Sequence, residues 1–123
     1  MWESIGALPL PGEQGAHLFA IVEGATAIGV GGLVPSSALG TQDFEVVCAL
    51  MAEAQMRGFA TQACQLILAW AFNTARLERV IACIDEANEG AKSVAAKLGM
   101  KALRRLGPGR TVFVRYRVDG TGP

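Results

Sequence analysis

Residues 54–63 read AQMRGFATQA and follow the apolar run VVCALM at 46–51. A short apolar run is typical of a buried strand, and the Ala- and Leu-rich stretch from about Thr61 to Ala75 is typical of a helix. Gly58 lies between the two. A strand that turns at a glycine and restarts as a helix presents free backbone N–H groups beside the positive end of the helix dipole. The pattern predicts an anion site suited to phosphate, but it also fits an ordinary strand-to-helix turn.

The segments around this turn alternate between strand and helix patterns. Expected strands are 17–23, 27–34, 43–51 and 78–85, expected helices are about 61–75 and 90–98, and a hairpin is expected over 101–118. Strand, helix and strand from 43 to 85 form a βαβ unit, so its two strands should be parallel. The first 16 residues, with Pro9 and Pro11, are expected to form an irregular arm.

Each expected helix has an apolar stripe. The stripes are Ala63, Leu66, Ile67 and Trp70 in the first helix, and Ala91, Val94, Ala95 and Leu98 in the second. The last strand is expected to place Val112, Val114, Tyr116 and Val118 on one face. The run GVGG at 29–32 has no helix after it, so it fits a structural glycine cluster better than a dinucleotide fingerprint.

The length and charge of the chain bound its class. The 123 residues fit one domain. Net charge is zero, but residues 1–60 have six acidic and one basic side chain, whereas residues 91–123 have eight basic and one acidic. This asymmetry suits either an anionic partner or two halves that complement each other within the fold or a dimer. Neither a secretory signal nor a continuous apolar span is evident, so we expect a cytoplasmic protein without membrane segments.

The three cysteines, Cys48, Cys64 and Cys83, each lie in an apolar run and form no C-x-x-C pair. We expect buried, inert thiols in a reducing compartment. His17 is the single histidine, and a structural metal site needs more ligands than this sequence supplies, so no metal is expected.

Two motifs give a more specific indication. QMRGFA at 55–60 resembles the signature Q/R-x-x-G-x-G/A of the GNAT superfamily of acyl-CoA N-acyltransferases, and residues 45–63 are similar to its ribosomal-protein N-acetyltransferase branch. LERVIACIDEANEGAKSVAAKLGM at 77–100 resembles the second characteristic segment of that family. The resemblance implies one GNAT-like domain over 1–123. Its fold would be α/β, of the α+β type: a mixed, mostly antiparallel sheet with a central parallel pair splayed apart and helices packed on its faces.

The resemblance also implies roles for individual residues. Those implied to wrap the pyrophosphate of acetyl-CoA are Gln55, Met56, Arg57, Gly58, Phe59 and Ala60. Val46, Val47 and Cys48 would pair by their backbone with the pantetheine arm, and Asn88 would reach the cofactor from a loop. Glu45 matches the acidic position that takes a proton from the substrate amine, which must be neutral to attack a thioester. A strand-end carboxylate paired with an arginine is the structural alternative for Glu45.

Three positions depart from the family pattern. Ala95 stands where many members have a tyrosine that protonates the leaving thiolate, Ala91 replaces a frequent serine, and Met100 replaces an aromatic residue. Tyr116 is the single tyrosine. The 16 residues before the first matching strand leave no room for the family's usual first strand and helices. The apolar sheet surface left uncovered would then favour a homodimer.

The sequence therefore supports an N-acetyltransferase that moves an acetyl group from acetyl-CoA to a primary amine by direct attack. The alternative is a catalytically weak or inactive acyl-CoA-binding or interaction module of the same fold. Nucleic-acid binding by the basic end is disfavoured, because its arginines have few aromatic neighbours and match no known module.

Overall fold

The computed structural model of the protein describes residues 5–12, 15–55 and 57–117. The strands are β1 (Ile5–Pro9), β2 (His17–Glu23), β3 (Thr26–Ser36), β4 (Asp43–Leu50), β5 (Arg79–Asp85), β6 (Lys101–Gly107) and β7 (Arg110–Tyr116). The helices are α1 (Phe59–Asn73) and α2 (Glu89–Lys97), with a short 3₁₀ turn at Ala52–Ala54. The strands and helices expected from residue 17 onwards are confirmed with ends within about two residues, as expected for boundaries; Val118 lies outside the described residues.

All seven strands form one sheet in the order β1-β2-β3-β4-β5-β7-β6. The pairings are antiparallel except for β4 with β5, which is parallel. The helix α1 connects these two strands, as a parallel crossover requires. The expected α+β fold, with a central parallel pair in a mostly antiparallel sheet, is therefore confirmed.

The expected irregular arm is wrong for residues 5–9. They form β1, which pairs with β2 from Ile5–Glu23 to Pro9–Phe19. Its proline and glycine content suggested a loop, but β1 is an edge strand, and edge strands tolerate proline. A first strand is thus present, and residues 10–16 join it to β2.

Helix α1 packs on one face of the sheet against β1, β3 and β4. Its buried residues are Phe59, Ala63, Cys64, Ile67, Leu68, Ala71 and Phe72. The expected stripe is confirmed for Ala63 and Ile67 but wrong for Leu66, which is 39% exposed. The buried face is rotated towards Cys64 and Leu68, which are 6% and 1% exposed. None of the described helices is long and apolar enough to cross a membrane.

A second, smaller apolar cluster lies on the opposite face. Ile81, Val112 and Val114 form its buried centre, and Ala38, Leu39, Cys83 and Leu106 pack against it. Tyr116 does not share this environment, because its residue is 55% exposed at the end of β7. The loop between β3 and β4 therefore folds back over β5 and β7.

Candidate active site

A cavity of about 310 Å³ lies between β4 and β5, below α1 and α2. Within the described strands a single position, Glu45 opposite Ile81, is paired between β4 and β5. The cavity is lined by Glu45, Val46, Val47, Cys48, Ala60, Cys64, Ala82, Cys83, Ile84, Ala91, Val94, Ala95, Leu98 and Met100. Because β4 and β5 separate here, the β4 edge facing β5 has backbone groups available to a ligand.

Glu45 closes the narrow end of this cavity. The backbone N–H of Cys83 donates a hydrogen bond to Glu45 Oε2 over 3.0 Å. Val46 and Cys48 pack towards the helices, so Glu45 and Val47 project to the opposite face. The carboxylate therefore lies on the face of the sheet without helices.

The start of α1 borders the cavity through Ala60. Gly58 is the N-cap residue, with φ 78° and ψ 3°, and no acidic residue lies in the first turn of α1. This left-handed conformation favours glycine. The first N–H groups of a helix have no partner within the helix, so this end can receive an anion.

The polar side chains of Gln55 and Arg57, in the signature at 55–60, bind other residues of the protein. Gln55 Nε2 donates to the carbonyl oxygen of Leu50 over 3.0 Å, which closes the turn after β4. Arg57 pairs with Glu23 at 3.2 Å and stacks over the ring of Phe59 at 4.4 Å. Met56 lies outside the described residues, and Phe59 is buried in the core. Gln55 and Arg57 thus shape the turn, whereas Gly58 and Ala60 leave it open.

Asn88 is the N-cap of α2, where its Oδ1 accepts the N–H of Ala91 over 3.0 Å. It is not among the residues that line the cavity. The two alanines at family positions do line it: Ala91 is half-buried and Ala95 is 2% exposed. Small side chains here leave volume where a larger residue would stand.

The single tyrosine lies away from this cavity. Tyr116 pairs with Arg79, at the start of β5, whereas the first β5 residue that lines the cavity is Ala82, three residues along the strand. That distance is about 10 Å along a strand. Tyr116 therefore does not take the place left by Ala95.

The prediction that all three cysteines are buried is wrong for two of them. Cys64 is buried, whereas Cys48 and Cys83 are half-buried, and all three line the cavity. Its neighbour Cys64 lowers the pKa of the Cys48 thiol, whereas Cys48 together with burial raises the pKa of the Cys64 thiol. Burial, followed by the charge of Glu45, raises the pKa of Cys83. The thiols are therefore part of the site rather than inert core residues.

An ion pair that sequence reasoning missed lies just beyond the narrow end of the cavity. Arg79 Nε contacts Asp43 Oδ1 at 2.7 Å, and Arg79 Nη2 contacts Oδ2 at 3.1 Å. The hydrogen bond from Arg79, together with one from Thr41, holds the pKa of Asp43 below its usual value despite burial. The 36-residue separation of the pair gave no local pattern by which to find it.

Other features bear on the charge asymmetry and on metal binding. Two basic residues of the C-terminal part pair with acids in the middle of the chain, Arg105 with Glu86 and Arg117 with Glu78. Arg115 donates to the carbonyl oxygen of Leu98.

Across the residues that the structure describes, no three His, Cys, Asp or Glu side chains form a group that could hold a metal ion.

The sequence matches the family described as "Acetyltransferase (GNAT) domain" over residues 3–101. No curated protein matches the chain. Among solved structures, an acetyltransferase from Agrobacterium tumefaciens superposes with a TM-score of 0.71 at 22% identity, over 84% of this chain and 62% of that one.

Two further structures have named substrates. A ribosomal-protein-S5-alanine acetyltransferase from Vibrio fischeri gives a TM-score of 0.69 at 22% identity, covering 85% of this chain and 63% of that one. A dodecameric spermidine N-acetyltransferase from Vibrio cholerae gives 0.72 at 15% identity, covering 89% and 69%. These likenesses show a shared fold, and the chain spans less than two thirds of the length of the first and second of these three structures.

Proposed function

Because this chain belongs to the GNAT acetyltransferase domain family, we propose that it transfers an acetyl group from acetyl-CoA to a primary amine by direct attack. The cavity between β4 and β5 is the observation that carries this proposal. It is mostly apolar and is bordered by the start of α1. These properties suit a pantetheine arm that ends in a pyrophosphate.

The pyrophosphate is proposed to bind at residues 55–60. Gly58 would let the backbone approach it, because an added Cβ would meet no protein atom within 4 Å and the space is free for a ligand. The N–H groups at the start of α1 would donate to the phosphate oxygens. Arg57 would add a positive charge at the rim, and Asn88 would contact the cofactor from the start of α2.

The acetyl group is proposed to lie near Glu45, with the backbone of Val46, Val47 and Cys48 along the arm. The neutral amine attacks the thioester carbonyl carbon, the carbon–sulfur bond breaks, and CoA leaves as a thiolate that then takes up a proton. Glu45 accepts the proton that the amine loses. Backbone N–H groups of β4 stabilise the oxyanion. A thiolate is a fair leaving group, so Ala95 in place of an acid is compatible with turnover.

Calorimetric titration with acetyl-CoA and with CoA tests the binding site. Gly58→Asp and Gly58→Asn form a matched pair, since both side chains tolerate left-handed backbone and differ mainly in charge. We expect micromolar affinity for the wild type, a modest change in Gly58→Asn and loss of binding in Gly58→Asp. Equal affinity of the two variants would place the pyrophosphate elsewhere.

The second candidate is an acyl-CoA-binding module with little transfer activity, which the alanine at position 95 favours. A panel of amines, including polyamines and peptides with free N-termini, distinguishes the two when acetylated products are measured by mass spectrometry. Product formation that depends on Glu45 supports the enzyme. Tight acetyl-CoA binding without product from any amine supports the module.

We also propose a cytoplasmic homodimer that requires no metal. Gly31 faces α1, so its neighbours Val30 and Gly32 face the opposite side. Residues on that side of β2 and β3 include Leu18, Ala20, Val22 and Val30. Val30 alone is 40% exposed. A second copy would bury this face by pairing it with itself.

A further inference from the structure

Asp43 and Arg79 lie at the closed end of the groove between β4 and β5. Glu45 lies opposite Ile81, 36 residues later in the chain. The same offset places Asp43 opposite Arg79. Both residues lie two positions earlier in their strands and on the same face of the sheet as Glu45 and Ile81. Both guanidinium contacts to the carboxylate are short, at 2.7 and 3.1 Å. The Asp43 side chain is 5% exposed and that of Arg79 is 26% exposed. This is a bidentate pair of the strong kind.

Neighbouring side chains fix this pair further. Thr41 Oγ1 donates to Asp43 Oδ2 over 2.7 Å and accepts from Arg79 Nη2 over 3.0 Å. Tyr116 lies opposite Arg79 in the pairing of β5 with β7. The guanidinium is hydrogen-bonded by side chains from β4 and from the loop before β4. A side chain restrained by both segments is coupled to the position of β4.

The strands β4 and β5 separate immediately after the pair Glu45–Ile81. A continuing parallel ladder would pair the Cys83 N–H with a β4 carbonyl oxygen. The Glu45 carboxylate takes that N–H instead, which lets the strands part without leaving a buried donor unsatisfied. Three successive ties therefore join β4 to β5: an ion pair, a backbone pair and a side-chain hydrogen bond.

We propose that Asp43 and Arg79 are positioning residues for acyl transfer. Their ion pair fixes the point at which β4 and β5 separate, and so holds Glu45 and the open edge of β4 at the spacing that the pantetheine arm needs. The inference rests on the proposed function. Small misplacements of reacting groups lower rates strongly, so an ion pair two residues from Glu45 affects the chemistry proposed at Glu45.

The variants Asp43→Asn and Arg79→Lys test the role of the ion pair, and Glu78→Gln is the control. Glu78 is adjacent to Arg79 but pairs with Arg117 at the surface, where its side chain is 85% exposed. We expect Asp43→Asn to weaken acetyl-CoA affinity about tenfold, measured by calorimetry well below its melting temperature. Arg79→Lys should show a smaller loss in the same direction, and Glu78→Gln should match the wild type.

Amide hydrogen exchange, measured by NMR without ligand, separates positioning from stability. Loss of the Asp43–Arg79 ion pair should accelerate hydrogen exchange at the Cys83 amide about tenfold more than at the Ile67 amide. The Ile67 amide lies in the middle of α1 and reports global unfolding. Equal acceleration at both amides, together with unchanged acetyl-CoA affinity, would reduce the pair to a stabilising contact and overturn the proposal.

Two outcomes need a further comparison. If Asp43→Asn does not fold, Arg79→Lys decides by the same two measurements. If the wild type does not bind acetyl-CoA, the proposed function fails. The Cys83 exchange ratio then decides alone whether the pair holds the groove, and an unchanged ratio rejects it.

Discussion

Glu45 shows how one side chain can support both the shape and the chemistry of a groove. Its carboxylate accepts the Cys83 N–H that the separation of β4 and β5 would otherwise leave unpaired. An unpaired buried donor costs about 1–3 kcal/mol. The same carboxylate faces the side from which an amine would approach. A substitution at this position must therefore distinguish hydrogen-bond acceptance from basicity.

Glu45→Gln and Glu45→Leu make that distinction. Gln keeps an oxygen for the Cys83 N–H but cannot take a proton, so kcat should fall about 10²-fold with acetyl-CoA affinity unchanged. Leu removes both properties, so acetyl-CoA affinity should fall as well. Steady-state kinetics and calorimetry give the two quantities. An unchanged kcat in Glu45→Gln would refute the role as base.

The lowered pKa of Asp43 predicts how the free energy of unfolding depends on pH. Its pKa is lowered in the folded protein, so the ion pair contributes stability above the usual Asp pKa of 3.8 and loses it as the pH falls through the lower folded value. Above about pH 5, Asp43→Asn should cost about 2–3 kcal/mol, less than for a fully buried pair because Arg79 is partly exposed. Urea unfolding from pH 7 to 2 measures this.

The difference between wild type and Asp43→Asn is the decisive quantity. It should be constant near neutral pH and shrink below about pH 4. Glu78→Gln serves as the comparison, since a surface pair contributes about 0–1 kcal/mol. A difference that stays the same down to pH 2 would mean that the charge of Asp43 does not stabilise the fold.

Sequence patterns located some site residues and not others for a physical reason. Gly58 and Ala60 could be predicted because a strand, a glycine and a helix are contiguous in the chain. The partner of Arg57 is Glu23, and the partner of Asp43 is Arg79, each more than 30 residues away. Contacts of that kind arise from the register of strands, and local periodicity does not encode register.

Among the elements, β3 and α1 depend on each other through a glycine. A Cβ added at Gly31 would lie 2.9 Å from Ile67 Cδ1 and 3.0 Å from the carbonyl oxygen of Val47. Contacts this short require the Ile67 side chain and the neighbouring backbone of β4 to adjust. The glycine-rich run at 29–32 is thus explained by close packing, which agrees with its interpretation as a structural cluster.

Gly31→Val should lower the free energy of unfolding by about 1–3 kcal/mol, because the added side chain overpacks the contact with Ile67 and the backbone of β4. Gly90→Ala in α2 is the control. Its added methyl meets Asn88 Oδ1 at an ordinary 3.6 Å, and the change should stabilise by up to about 1 kcal/mol. Chemical denaturation measures both. If Gly31→Val leaves the free energy of unfolding unchanged, close packing at Gly31 does not explain the glycine.

Element types were predictable wherever burial imposed a period on the sequence. The strand and helix patterns from residue 17 onwards were confirmed. The strand β1 was missed because five residues containing Gly6 and Pro9 show no clear alternation. Leu66 was misplaced because Cys64 and Leu68 compete for the same buried face, and only the position of the sheet decides between them.

At the scale of the whole molecule, the two faces of the sheet differ in their cover. The helices α1 and α2 lie on one face, and the loop between β3 and β4 covers part of the other over β5 and β7. The outer face of β2 and β3 is largely apolar and includes the exposed Val30. Exposed apolar surface of this kind usually marks an interaction site.

The homodimer can be tested with two matched variants. Val30 and Leu103 are 40% and 44% exposed, but Leu103 lies on the opposite edge strand, β6. Light scattering should give twice the chain mass of 12.9 kDa for the wild type and for Leu103→Arg. Val30→Arg should give a monomer. A wild type that is monomeric at every concentration, or a dimer unaffected by Val30→Arg, would contradict the proposed face.

The cysteines in the cavity also determine how this protein can be studied. Cys48 and Cys83 are half-buried on opposite faces of the parting strands. A colorimetric reagent that reads released CoA would also react with the protein's own thiols, which would raise the background of such an assay. The same property supplies a native footprint: alkylation of Cys48 and Cys83, followed peptide by peptide, would report occupancy of the groove without an engineered label.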